Sequence, residues 1–178
     1  MKKFIDPFDY ANQILKAVKK GVLVTTKAGE QVNTMSISWG TMGIQWNLPI
    51  FTVFVRGCRH TKPMLDESGE FTINIPLGEV DREIIRVCGT KSGRDTDKFQ
   101  LLGLTQEPPV TINTPGIRQL PLTLECKVIY RQQQTPDCMT DPEPHSHYPE
   151  YVPNIHDEYH TAYYGQIVNA YIIEPDEA

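Results

Sequence analysis

No apolar run in this 178-residue chain approaches the roughly 20 residues that a membrane-spanning helix needs. Basic residues are outnumbered, with 17 Lys and Arg against 22 Asp and Glu and a formal charge of −5. A nucleic-acid binder carries a basic face, so that class is excluded, and the charge reads as a solubility feature. Cysteine is sparse: Cys58, Cys88, Cys126 and Cys138 form no Cys-x-x-Cys pair. That spacing favours reduced, separately placed thiols over a disulfide framework or a zinc site. Met1-Lys2-Lys3-Phe4-Ile5-Asp6-Pro7 has a basic start with no apolar segment behind it. No signal peptide is therefore expected, and a cytoplasmic location is.

Familiar catalytic signatures are missing too. No G-x-G-x-x-G follows a strand, so no dinucleotide fingerprint is indicated. Gly89-Thr90-Lys91-Ser92-Gly93-Arg94-Asp95 superficially resembles a P-loop but is one residue short between its glycines. It also has Arg-Asp where Lys-Ser/Thr should stand, so the phosphate-reaching lysine is absent. H-E-x-x-H and G-x-S-x-G do not occur, which leaves a hydrolase without support.

What is present is β-rich. A helix is expected from about Asp9, as N-cap, to Lys19, with Ile14, Leu15 and Val18 as its apolar stripe. Residues 21–26 and 31–39 flank a short Gly-containing turn and read as a hairpin. Strands are expected over 50–56, 70–76, 120–131 and 161–173, with helices over 61–67 and 79–87. Residues 132–158, crowded with Pro, His, Asp and Glu, form a long loop: a lid, an interface arm or a disordered insertion. Neighbouring antiparallel strands with few helices favour a mainly β fold, a barrel, over a doubly wound sheet. The length suits one domain, 1–178.

Two segments carry polar residues that a plain barrel does not need. One is Asn33-Thr34-Met35-Ser36-Ile37-Ser38-Trp39; the other is Arg56-Gly57-Cys58-Arg59-His60-Thr61. Two arginines around a Gly-containing turn, with Thr61 opening a helix, can build an anion site from guanidinium groups and unpaired N–H donors. A phosphate monoester matches those parts. Taken singly, Thr34, Ser36 and Ser38 read equally well as a solvent-facing strand edge, and Arg56 and Arg59 as surface charges.

The order of these segments resembles the flavin reductase-like, FMN-binding split-barrel family, and within it the flavoredoxin-type branch. The resemblance is carried by residues 33–39, Pro49, Arg56-x-x-Arg59-x-Thr61, Ser68-Gly69-x-Phe71-Thr72-Ile73-Asn74, Ser92-Gly93-Arg94-Asp95-x-Asp97-Lys98-Phe99 and His160-x-x-x-x-Gly165-x-Ile167-Val168. It implies a split β-barrel of Greek-key antiparallel strands binding FMN. By the same resemblance, Asn33, Thr34, Met35, Ser36, Ile37, Ser38 and Trp39 run along the flavin ring. Arg56, Arg59 and Thr61, with His60 and Lys62 close by, hold the phosphate. Asn74, Ser92, Lys98 and Phe99 belong to the cofactor site, whose 92–99 segment closes over the flavin. His160 lies near the ring edge where substrate arrives, and reads equally as a partly buried strand histidine with a satisfied bond. A homodimer with its flavin sites near the interface is implied.

The expected function is an NAD(P)H-dependent flavin reductase, with NADH or NADPH as donor. Its alternative is a flavin electron carrier reduced by a redox protein partner, without a nicotinamide pocket. A weaker reading is a barrel binding another ligand, such as haem through His160. Cys138, His145, His147, His156 and His160 match no recognised ligand spacing, so no metal is expected. Cys58 reads as a small packed residue.

Overall fold

The computed structural model describes residues 1–148 and 159–175, apart from the His145 side chain. After a short strand β1 (Lys2–Phe4), Asp6 caps a 3-10 turn over Pro7–Tyr10 by accepting the Phe8 N–H. Helix α1 (Ala11–Lys20) follows. Asp9, expected as the N-cap, lies inside that turn, because Pro7 with its fixed φ starts the helical path earlier. Ile14 and Val18 are buried, whereas Leu15 is partly exposed.

The expected hairpin forms from β2 (Val22–Ala28) and β3 (Gln31–Ile37), in register from Val22 opposite Ile37 to Ala28 opposite Gln31. A further hairpin pairs β4 (Gly40–Gln45) with β5 (Leu48–Arg56). Its two turn residues, Trp46 and Asn47, both take positive φ, 54° and 57°. Both central residues of a type I′ hairpin turn require that conformation. Helix α2 (Thr61–Ser68) ends at Gly69, at φ 63°, and leads into β6 (Glu70–Ile75). Helix α3 (Arg82–Thr90) starts later than expected, because Asp81 caps it by accepting the Glu83 N–H. Helix α4 (Lys98–Leu102) begins at a similar cap, Asp97. Strands β7 (Gln106–Glu107) and β8 (Gly116–Ile117) form a separate ladder. The long strands β9 (Leu122–Gln133) and β10 (His160–Ile173) pair antiparallel. A short helix α5 (Pro142–Ser146) lies in the segment between them.

The main sheet runs β3-β2-β6-β9-β10-β5-β4, with β1 on β10 and every pairing antiparallel. Its two end strands, β3 and β4, are consecutive in the chain and joined only by Ser38 and Trp39. A link that short spans about 10 Å at most. The sheet therefore curls until its edges nearly meet, and because β3 and β4 do not pair, the barrel stays split along that line. The inside is filled by residues such as Val24, Ile37, Phe51, Ile73, Leu124 and Tyr163. A second cluster, including Leu23, Ile84, Cys88, Ile117 and Leu120, sits outside the sheet. Among the described residues no helix is long and apolar enough to cross a membrane.

Candidate functional site

Alternation along β3 divides the polar stretch between two destinations. Thr34 is fully buried and belongs to a ladder in which Asn74 Nδ2 donates to Thr25 Oγ1 (3.0 Å). Thr25 in turn donates to Thr34 Oγ1 (3.1 Å), and Thr34 to the Val24 carbonyl (3.2 Å). Asn74 also accepts the Ile117 N–H through Oδ1 at 2.9 Å, so both ends of its amide are used inside the fold. A solvent-facing reading is therefore overturned for Thr34, and neither Thr34 nor Asn74 reaches a ligand site with its side chain. Met35 and Ile37 point into the main core. Asn33, Ser36, Ser38 and Trp39 do not. Asn33 donates to Thr61 Oγ1 at 2.9 Å, tying the start of α2 to the sheet edge.

Ser36 and Arg59 meet at Gly89, near the end of α3. A Cβ on Gly89 would lie 2.6 Å from Ser36 Oγ, and Arg59 donates to the Gly89 carbonyl at 3.4 Å. Gly93 is equally close-packed, since a Cβ there would lie 2.1 Å from Asn33 Oδ1 and 2.9 Å from His60 Cδ2. Only glycine allows the α3–α4 linker to approach β3 this closely. Cations then collect around the junction. Lys98, only 3% exposed, donates to the Lys91 carbonyl at 3.3 Å, and Arg94 to the Cys58 carbonyl at 3.0 Å. Ser92 Oγ accepts the Arg94 N–H at 3.2 Å. Burial lowers the Lys98 pKa, with Cys88 opposing that shift and Arg59 adding to it. His60, bonded to Gln31 at 3.1 Å, is lowered by burial and by the charges of Arg94 and Lys98, against Asp95. Burial pushes the neighbouring Cys88 thiol up to about 11, so it stays protonated.

Lys62 and Arg56 turn elsewhere. Lys62 is paired with Asp66 one helical turn on (2.8 Å), and Asp66 also accepts from Tyr163 and Arg131. Arg56 donates to the His147 carbonyl at 2.7 Å and stacks over the Tyr148 ring, 5.2 Å from its centroid. His160, opposite Arg56 in the β5–β10 ladder, is 8% exposed, with Nδ1 2.6 Å from the Tyr148 hydroxyl. Burial, with the charges of Arg56 and Arg59, holds its pKa down to about 4, so it is neutral at ordinary pH. Trp39 packs against both His147 (4.9 Å) and His160 (5.0 Å). Phe99 packs against the outer cluster.

From Ser38 and Trp39 opens a cleft of about 890 Å³. Aromatic and apolar walls come from Trp39, Phe54, Tyr148 and Tyr164, with Met139 and Leu15, and hydrogen-bonding groups from Thr41, Gln132 and Gln134. Among the described residues its charged lining is Lys19, Asp141 and Glu143, with no arginine. The cleft shares no lining residue with the cation corner, but the chain at the end of β3 reaches both, with Ser36 at the corner and Ser38 and Trp39 in the cleft wall. Within the segment expected as a loop, Gln132 and Gln133 extend β9, and Tyr148 is buried against the barrel. Residues 149–158, including His156 of the weighed metal set, lie outside the described residues, as does the His145 side chain. Among the described residues no group of three or more His, Cys, Asp or Glu could hold a metal.

Sequence reasoning missed Gln31 and Gly89 at the corner and Tyr148 at the cleft; it had Gly93 and Arg94 only as part of the 92–99 segment, with no role of their own, and His147 only as a weighed metal ligand. The first signal was visible: the failed P-loop-like stretch 89–95 supplies both close-packed glycines and Arg94, though it follows a helix and not a strand. Tyr148 had no local signal, because its partners Arg56 and His160 come from other elements.

The profile of the flavin reductase like domain matches residues 17–178. Flavoredoxin of Desulfovibrio vulgaris (Miyazaki F) superposes with a TM-score of 0.65 at 26% identity, covering 86% of this chain and 69% of that one. The FMN-binding domain of a flavin reductases-like enzyme from Shewanella baltica also scores 0.65, at 16% identity, over 97% and 77% of the two chains; it shows the fold. Among curated proteins, an uncharacterized protein of Archaeoglobus fulgidus is 27% identical over 100 residues, 56% of this chain and 55% of that protein. The match thus spans about half the length of that relative.

Proposed function

The chain belongs to the flavin reductase-like domain family, and from that premise we propose that it binds FMN and works as an oxidoreductase. One observation carries the reading: Ser36 and Arg59 converge on Gly89, where Arg94 and Lys98 add charge that no carboxylate neutralises. Among the described residues, none of these three cations has an ion-pair partner, and all donate to backbone carbonyls. Such a corner suits a phosphate, which accepts charge-assisted bonds from several donors at once. The similar structures named for flavoredoxin and FMN binding support the same cofactor.

In this reading Arg59, Lys98, Ser36, Ser92 and His60 hold the phosphate end. Among the described residues strand β3 pairs only with β2, so its other edge offers backbone groups without a strand partner there, and Ser38 and Trp39 carry that edge to the cleft. Bound FMN supplies two-electron redox chemistry, while the protein contributes position and electrostatics. His160 keeps its neutral ring fixed between Tyr148 and Trp39, and the Tyr148 hydroxyl donates to Gln134 Oε1 at 3.1 Å. That arrangement orients the cleft wall without placing a permanent charge on it.

NADH or NADPH is the donor in the enzymatic version. The cleft lining favours a second version, an electron carrier reduced by a protein partner. A nicotinamide dinucleotide brings at least two phosphate charges, whereas the described lining sets two carboxylates, Asp141 and Glu143, against one cation, Lys19. A homodimer is part of the proposal in both versions.

Purified chain incubated with FMN should retain flavin absorbance after desalting; colourless protein would end the FMN reading. Stopped-flow mixing of the loaded protein with NADH and NADPH separates the two versions. Bleaching within seconds identifies the reductase, and inertness toward both identifies the carrier.

A further inference from the structure

The linker between α3 and α4 brings to the corner an arginine whose role the family reading leaves open. Gly93 is wedged against Asn33 and His60, which fixes the backbone of Arg94 at the rim of the site. The guanidinium uses one donor on the Cys58 carbonyl, in the turn that also carries Arg59, and its remaining N–H groups stay available. Its charge is felt at His60, as is that of Lys98, while Lys98 in turn feels Arg59. Arg59, Arg94 and Lys98 are thus close enough to act on one ligand, with Gln31, Asn33 and Thr61 completing the rim as neutral groups.

The charges in this corner can be set against one another. Asp95 is the one carboxylate acting on His60, and His60 is itself held toward its neutral form. Among the described residues, Arg59, Arg94 and Lys98 have no ion-pair partner, so the corner is net positive and suits the charge of a phosphate monoester dianion. A riboflavin ribityl chain brings none of that charge, and FAD offers its two charges as a diphosphate that continues into an adenosine.

Resting on the FMN reading above, we propose that Arg94 is the specificity-determining residue of the corner, binding the terminal phosphate monoester and setting the preference for FMN over riboflavin and FAD. Its planar fork donates to two phosphate oxygens side by side, a geometry that the lysine ammonium cannot reproduce.

The test is titration of the full chain with FMN, riboflavin and FAD, followed by flavin fluorescence, in wild type, Arg94→Gln and Arg94→Lys. Arg94→Gln should weaken FMN by about 10- to 100-fold, the cost of one charge-assisted interaction, and leave riboflavin unchanged. Arg94→Lys should fall between the two, and raising salt should weaken FMN but not riboflavin in wild type. Equal weakening of both flavins in Arg94→Gln would assign Arg94 a structural role and overturn the inference, as would an unchanged FMN-to-riboflavin ratio. Wild type that binds FMN no better than riboflavin would instead sink the phosphate corner itself, and Arg94 with it.

Discussion

His160 shows how the fold decides what a residue can do. A strand histidine near a redox site invites a role as proton donor, yet its ring is buried beside Arg56, bonded to Tyr148, and its pKa is held to about 4. In the unfolded chain the same group takes up its proton near 6.5. Between those pH values the unfolded state binds more protons, so stability falls as the pH drops from 6.5 to 4, by up to about 3 kcal/mol from this group. Urea denaturation at pH 7.0 and 4.5 should show that loss in wild type and a smaller one in His160→Asn. Identical pH dependence in both proteins would mean that His160 titrates normally. Lys98 carries the opposite tension, an ammonium buried without a carboxylate and bonded to one carbonyl. Replacing it with Met should stabilise the ligand-free chain by about 1 kcal/mol, roughly 2–4 °C in melting temperature, while weakening FMN at least about 10-fold. A variant that melts lower and binds FMN as well as wild type would show that Lys98 serves only the fold.

At the scale of elements, two glycines separate function from architecture. Gly165 lies in β10 where the register with β9 shifts, and a Cβ there would sit 2.4 Å from Phe71 Cζ and 2.9 Å from Cys126 Cβ. Gly165→Ala should therefore cost about 1–3 kcal/mol of stability by overpacking, with little change in FMN affinity. Gly93→Ala presses on Asn33 and His60 at the corner, so its effect should read chiefly in FMN affinity. Calorimetric melting beside flavin titration would sort the two, and an exchange of those signatures would refute the assignment. The same contrast explains what the sequence made legible. Strands rich in β-branched residues, such as 50–56, and the hairpin of 22–37 were readable because pattern and turn agree. Strand β4 was not, because Gly40-Thr41-Met42-Gly43-Ile44-Gln45 lacks clean alternation and its turn is Trp-Asn, not Asn-Gly. The convergence of Ser36 with Arg59 was anticipated from a resemblance in order and spacing. Tyr148 against His160 depends on contacts across elements that no local pattern encodes.

At the scale of the whole molecule, the described residues leave an apolar surface open at the β4–β5 hairpin and the strands beside it. Ile44 is 72% and Trp46 55% exposed at the β4–β5 hairpin tip. Trp46 and Tyr130 stand 5.9 Å apart, Tyr130 and Tyr164 5.3 Å, forming an aromatic surface from the β4–β5 turn across β9 and β10. Trp46 holds this place with φ at 54°, a conformation that costs a bulky residue on the order of 1 kcal/mol. Contiguous apolar surface of this kind marks an interaction site, and Tyr164 joins it directly to the cleft wall. A second copy seated here would thus border the cleft of the first, which ties the proposed homodimer to the proposed flavin site. Light scattering should give wild type twice the single-chain mass, and Ile44→Ser combined with Trp46→Ser the single-chain mass. The double variant should also bind FMN more weakly while keeping the Arg94-dependent preference over riboflavin, because the cation corner is built within one chain. A wild-type protein that scatters as a single chain at micromolar concentration would refute the dimer and leave that corner untouched.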